Sequence, residues 1–294
     1  MKTKHAEILL ASVIIARSTS YLFSKVCLET MAPFTLLSIR FTIALAILLV
    51  IYRKRIAKIT KNDLKYGSIL GLTMSSFMIV ETIALKTTDS AMVALLENTF
   101  IIIVPIILAV AYKKLPSFSV VLSIIVSFTG VVLLNYKGGT ISLSFGEMLC
   151  IITAMIYGLY IILTGQLAKK SDPILIGIVQ IGTLAIISTI VTFSTETPVL
   201  PRTSTEWTSI LILAIVCTVF GYTFQPMAQK NTSTERANIF CGLNPVSATI
   251  LGAVFMGESL TPYGVIGALL IVLSLYISGI KSNKKRKRKV QSAY

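Results

Sequence analysis

Four charged residues stand inside long apolar runs of this sequence: Arg17, Arg40, Glu81 and Glu97. A charge at the centre of a bilayer costs about 2.5–3.5 kcal/mol on insertion scales, so such a side chain faces a partner or a water-filled cavity. Two cations and two carboxylates at comparable depth can neutralise one another as ion pairs between helices. The spacing leaves a second use open, in which the charges hold opposite ends of a solute. Arg17 would then bind an anionic group, while Glu81 or Glu97 would hold a proton or an amine and release it as the site opens. For Arg40 the expectation is a structural ion pair.

Polar residues at helical spacing accompany these charges. Ser20, Tyr21 and Ser24 continue the face of Arg17, and Asn98 follows Glu97 directly. Thr153, Tyr157, Tyr160 and Thr164 share one face; Gly177 and Gln180 share another; Thr218, Tyr222, Gln225 and Gln229 form a third. Asn238, Gly242, Pro245, Thr249 and Gly252 follow a small-residue spacing that permits close packing or local unwinding, with Asn244 inside it. The candidate substrate-binding set is therefore Arg17, Tyr21, Glu81, Glu97, Asn98, Tyr157, Tyr160, Gln180, Tyr222, Gln225, Asn238 and Asn244. Pro105 and Pro245 are candidate hinges, because proline frees a backbone carbonyl and kinks a helix. Glu258 is a candidate for capping or gating. Helix packing alone accounts for any one of these stripes; their convergence on one cavity is what favours binding.

Other chemistries lack material. The single histidine, His5, precedes the first apolar run, and the four cysteines (Cys27, Cys150, Cys217, Cys241) lie in or beside apolar segments without metal-type spacing. No cofactor or metal is expected, and the chain reads as a non-enzyme.

The elements that position these residues follow from composition. The chain is 54% hydrophobic, 13% charged and has a mean hydropathy of +0.83, too apolar for a soluble core. Runs of about 20 apolar residues suit a bilayer. They predict spans near Glu7–Leu28, Pro33–Ile51, Leu64–Leu85, Ser90–Ala111, Phe118–Asn135, Phe145–Leu167, Pro173–Phe193, Trp207–Met227, Arg236–Met256 and Pro262–Ile280. The fold class is an all-α integral membrane protein of ten helices. The net charge of +15 does not form a nucleic-acid groove, because the charges fall between apolar runs. Of the 27 Lys and Arg, 21 fall in the N-terminus, alternate loops and tail, four in the other loops and two in spans. By the positive-inside rule both termini are cytoplasmic, in the cell membrane. The basic tail, residues 281–294, is suited to anionic lipid headgroups.

Laying the second half on the first at an offset of 144 residues sets Glu81 against Gln225, and Ala84, Lys86 and Thr88 against the identical Ala228, Lys230 and Thr232. Five spans per half is an odd number, so the halves (residues 1–140 and 141–280) would cross the membrane in opposite senses.

These residues resemble the drug/metabolite transporter superfamily, specifically its ten-helix EamA-type members. The resemblance is strongest over Gly221–Gly279: Gln225-Pro-Met-Ala-Gln-Lys230, Asn244-Pro245-Val246, Gly257-Glu258-Ser259-Leu260, then Gly264 and Gly267. Lys25, Pro33, Arg40-Phe41, Val104-Pro105 and Pro116-Ser117 match in the first half. The resemblance implies a secondary carrier working by alternating access around a central cavity, exporting a small polar metabolite such as an amino acid. Efflux of amphipathic drugs or organic cations is the alternative, and a membrane enzyme or non-transporting sensor is the alternative of a different class. The partners would be a small-molecule substrate, protons and membrane lipids. The chain departs from the family pattern where Arg17-Ser18 replaces an early Trp-Gly, Glu81 a third-helix Gln, Glu97 an uncharged residue and Asn244 a Glu.

Overall fold

The computed structural model describes residues 3–87, 96–113, 115–135, 144–256 and 261–291, and these are helical with short connections. In chain order the helices are α1 (Thr3–Leu28), α2 (Pro33–Ile51), α3 (Arg53–Ile56), α4 (Lys61–Thr87), α5 (Phe100–Tyr112), α6 (Phe118–Asn135), α7 (Phe145–Leu167) and α8 (Pro173–Thr195). Then come α9 (Ser204–Ile212), a π-helical segment (Leu213–Tyr222) continuing into α10 (Thr223–Lys230), α11 (Thr234–Cys241), α12 (Leu243–Met256) and α13 (Pro262–Gln291).

Local chemistry sets many of the boundaries. Ser144 and Glu147 form a capping box that starts α7, and Thr203 with Glu206 does the same for α9. Asp172 accepts from the amides of Ile174 and Leu175, and Pro173 fixes the first turn of α8. The start of α2 borrows its cap from far along the chain. The Glu196 carboxylate accepts from the Phe34 amide (3.1 Å), the Thr35 amide (2.8 Å) and the Thr35 hydroxyl (2.9 Å), where the helix dipole favours an anion.

Five of these segments are long and apolar enough to cross a membrane: Pro33–Ile51, Lys61–Ala84, Phe145–Leu167, Pro173–Thr195 and Ser204–Lys230. Shorter apolar helices cover Phe100–Ala111, Phe118–Leu133 and Pro262–Ile277. The expected span Arg236–Met256 is divided at Gly242 into α11 and α12, and part of Ser90–Ala111 lies outside the described residues. Large apolar side chains point outward all over the bundle, among them Val50, Val110, Phe193 and Tyr276, each more than 70% exposed. Such a surface is at home against lipid.

Helices approach closely where one side lacks a Cβ, the usual device when lipid removes any hydrophobic drive between helices. α4 packs against both α7 and α8. A Cβ added at Gly71 would lie 2.4 Å from the Thr183 Cβ, and one at Gly67 2.4 Å from that of Val179. α6 lies along α13, with Gly130 seated on the Gly267 carbonyl. α2 packs on α8, and α1 packs on the π-helical segment and α12.

One end of the bundle gathers the basic loops. There Arg55 pairs with Asp172 at 2.7 Å, and Asp63 accepts from the Ser171 hydroxyl, the Thr60 amide and hydroxyl, and the Asp172 amide. Lys230 donates to the Ser171 carbonyl (3.4 Å), and Arg236 pairs with Glu7 at 2.7 Å. Short loops far apart in sequence are thus tied at a single level.

Candidate functional site: a polar chamber around Arg17

Arg17 sits in the middle of α1, and its guanidinium reaches across to the second half of the chain. Nη1 donates to the Gln225 Oε1 (2.6 Å) and the Tyr157 hydroxyl (3.1 Å), and Nη2 donates to the Tyr222 hydroxyl (3.1 Å). The charge also stands over the Tyr222 ring, 4.2 Å from its centroid, and 5.8 Å from that of Tyr157. All three hydrogen-bond partners are neutral. Arg17 Nε is buried without a partner, and no carboxylate among the described residues lies within ion-pair distance of the group. Gly221 makes room for this side chain, since a Cβ there would fall 2.6 Å from Arg17 Cγ.

Glu81 on α4 and Glu97 before α5 face each other within hydrogen-bond reach, and the charges of Arg17 and Arg40 both act on Glu81. Glu97 is 6% exposed, lies against the Thr153 hydroxyl, and keeps Oε1 without a partner among the described residues. Asn98 is buried beside it.

Aromatic rings pack along one side of this polar cluster. Tyr157 packs against Phe77 (centroids 5.0 Å apart), Phe100 (4.9 Å) and Tyr160 (5.8 Å, stacked). The Tyr160 hydroxyl and the Gln180 amide are fully buried and bonded to each other, with Gln180 Nε2 donating at 3.0 Å. Cys241 completes the floor beside Tyr157 and Arg17.

One expectation requires correction. Arg40 makes no ion pair among the described residues: its Nε donates to the Thr218 hydroxyl (2.7 Å) and Nη1 to the Ser20 hydroxyl (3.2 Å), and the residue is 3% exposed. Hydroxyls reach it because the π-helical turn places Thr218 against α2, where it also donates to the Leu213 carbonyl. Asn238 serves the backbone first. Pro105 has no N–H for the carbonyl four residues before it, and the Asn238 amide donates to that carbonyl of Ile101 at 2.9 Å, leaving Oδ1 buried and unpartnered. A candidate ligand group and a candidate hinge are thereby one unit.

The structure brings Arg17, Glu81, Glu97, Asn98, Tyr157, Tyr160, Gln180, Tyr222, Gln225 and Asn238 around one interior region. Asn244 and Pro245 lie in the first turn of α12, after the break at Gly242. The side chain of Tyr21 and all of Glu258 lie outside the described residues. Phe77 and Phe100 carry no sequence signal beyond the spacing of Phe77 four residues before Glu81, and Gly221 enters the sequence reading only as the start of the Gly221–Gly279 stretch. Among the described residues no cluster of His, Cys, Asp and Glu could hold a metal ion.

Comparison with known proteins gives a consistent result. The model of the EamA-like transporter family matches the chain twice, over residues 5–136 and 144–280. A protein of Archaeoglobus fulgidus named an uncharacterized transporter is 25% identical over 96% of this chain and 88% of its own length. The uncharacterized transporter YyaM of Bacillus subtilis is 25% identical over the whole of both chains, and an uncharacterized transporter of Clostridium kluyveri is 27% identical over 97% and 95%. A solved crystal structure superimposes with a TM-score of 0.81 over 94% of this chain and 98% of its own, at 18% identity.

Proposed function

Because the chain belongs to the EamA-like transporter family, we propose that it is a secondary carrier that exports a small polar metabolite, such as an amino acid, by alternating access around the Arg17 chamber. One observation carries this reading: a guanidinium inside apolar helices is held by three neutral groups rather than by a carboxylate. Arg40 is also held by neutral groups, but it is 3% exposed, whereas Arg17 is only partly buried and keeps Nε without a partner among the described residues. Tyr157, Tyr222 and Gln225 orient the charge and leave it available to an anion. The neighbouring carboxyl groups of Glu81 and Glu97 would supply a site for a coupling proton or for a substrate amine.

The architecture that goes with this reading is ten spans in two inverted sets of five, with both termini in the cytoplasm. Two consecutive family matches, over residues 5–136 and 144–280, support the repeat. So does the packing: exchanging the halves maps the α2–α8 and α6–α13 pairs onto themselves, and the α4–α7 pair onto α1 with the π-helical segment. The shared level of the basic loops supports the orientation.

The test is uptake into proteoliposomes of labelled amino acids, with Arg17→Ala and Glu97→Gln compared with wild type. Loss of about tenfold or more with Arg17→Ala is expected, since a charge-assisted anion contact contributes about 1.5–3 kcal/mol. Carboxylate transport indifferent to Arg17 would reject the anion site. The aromatic rings of Phe77, Phe100 and Tyr157 beside the acidic pair favour a second reading, efflux of organic cations. Ethidium transport that needs Glu97 but not Arg17 would select it.

A further inference from the structure

Three buried side chains on the basic-loop side of the chamber carry polar atoms without a partner among the described residues, and two of them, Gln229 and Thr232, take no part in holding Arg17. Gln229 is 1% exposed with neither amide atom bonded, Thr232 is 5% exposed with its hydroxyl unmet, and Gln225 binds Arg17 through Oε1 while Nε2 is unmet. Gln225 and Gln229 are four residues apart on α10, so they share a face and rise one turn from the chamber toward the basic end. Thr232 follows in the loop to α11. An unmet buried amide is costly, and replacing it by an apolar group of similar shape is nearly neutral or stabilising. Unmet groups of this sort call for an explanation outside the conformation that buries them.

At the end of this line stands Arg236, whose Nε lies 2.7 Å from a Glu7 carboxylate oxygen, an ion pair by distance that is not aligned as a hydrogen bond, with both side chains less than 20% exposed. The pair joins the first turns of α1 to the start of α11. Around it the segment 230–236 is tied down twice more. Lys230 reaches the Ser171 carbonyl, and Thr234 fills the space over Gly165 on α7, where a Cβ would lie 2.8 Å from its hydroxyl oxygen.

We infer that Gln229 and Thr232 line the inner half of the transport path, and that the Glu7–Arg236 pair is the latch that closes it in the conformation described here. In the opened conformation the latch parts, α10 and α11 move off α1 and α7, and the unmet amide and hydroxyl meet water or the passing solute. This inference rests on the carrier reading, but its test needs no knowledge of the cargo.

Cys241 is the reporter: it is 2% exposed and lies beside Arg17 and Tyr157, so a reagent added at the basic end reports opening of that end. With Cys27, Cys150 and Cys217 replaced by serine, inside-out vesicles are treated with the impermeant anionic reagent sulfonatoethyl methanethiosulfonate. Glu7→Gln is expected to raise the labelling rate about tenfold, which corresponds to about 1.4 kcal/mol in the opening equilibrium. Reversal of both charges, Glu7→Arg with Arg236→Glu, is expected to restore slow labelling. Gln229→Leu is expected to raise the unfolding midpoint and slow labelling together, because it favours the dry, closed state; a merely structural glutamine would not move the two in that combination. Unchanged labelling with Glu7→Gln, or a double reversal as fast as the single variant, overturns the latch. Gln229→Leu that labels at the wild-type rate overturns the path. Either failure leaves the Arg17 assay of the carrier reading untouched.

Discussion

The contact between Asn238 and the Ile101 carbonyl permits a quantitative test of why an asparagine stands in α11. Pro105 removes one helical donor from α5, and the carbonyl it would have served is buried among apolar side chains, with Ile101 fully buried. Asn238 Nδ2 supplies the missing donor at 2.9 Å. Asn238→Leu removes that donor, but it also removes the unpartnered Oδ1, so its net effect mixes a loss with a relief. A double-mutant cycle with Pro105→Ala separates them. Alanine restores the backbone N–H to Ile101, so in that background the asparagine amide is redundant, while the relief from losing Oδ1 is the same in both backgrounds and cancels. Neutral hydrogen bonds within membrane proteins average about 0.6 kcal/mol and reach about 1.7, and an orphaned buried carbonyl costs about 1–3 kcal/mol. The expected coupling energy is therefore about 1 kcal/mol, about fivefold in the unfolding equilibrium. It is read from unfolding in mixed detergent micelles of the wild type, both single variants and the double variant. Asn238→Leu that costs the same with and without Pro105 would refute the account, because the asparagine would then act on something other than the proline's vacant carbonyl.

Two further outcomes follow from particular contacts. Gly221→Val forces Arg17 aside, since even a Cβ would fall 2.6 Å from its Cγ. Stabilisation by transported solute in a thermal-shift assay should disappear, while the unfolding free energy in its absence changes by no more than about 2 kcal/mol, the range of mild overpacking; retained stabilisation would show that the orientation of Arg17 does not matter. At the basic end, Arg55→Ala and Asp172→Ala break the same ion pair, whose side chains are 45% and 29% exposed. Arg55→Ala should cost less than about 0.5 kcal/mol, whereas Asp172→Ala also uncaps the Ile174 and Leu175 amides and should cost about 1 kcal/mol more; equal costs in detergent unfolding would contradict the capping role.

Much of the fold was legible because membrane helices announce themselves locally. The expected spans Pro33–Ile51, Phe118–Asn135 and Phe145–Leu167 coincide with α2, α6 and α7. Proline at a first turn, or a Ser/Thr with Glu three residues on, is a signal carried by adjacent residues. The other ends depend on distant parts of the chain. The cap of α2 comes from Glu196, which no local pattern foretells. The division at Gly242 and the π-helical turn at Leu213–Tyr222 leave the hydropathy unchanged, so an apolar window cannot detect them. Thr218 meets Arg40 only because of that turn, and sequence spacing at 3.6 residues per turn would have rotated it elsewhere.

The site shows a sharper limit. Arg17 and Arg40 are indistinguishable by type and by apolar surroundings in the sequence, yet their environments assign them different work. Arg40 is held by two hydroxyls between α1, α2 and the π-helical segment, and its burial at 3% leaves no room for a solute. Arg17 is half-buried, keeps an unmet Nε, and faces partners that are 140 to 208 residues away in the chain. The partners of both arginines are uncharged and cancel neither charge; Arg17 differs in its partial exposure and its unmet Nε. In a low-dielectric interior an oriented, uncancelled cation attracts an anion far more strongly than it would in water. That distinction depends on rotations of whole helices about their axes, which the identity of a residue does not encode. The two carboxyl groups show the same dependence: Glu81 and Glu97 come together from α4 and the turn before α5, and the charges of Arg17 and Arg40 both act on Glu81 without an ion pair among the described residues.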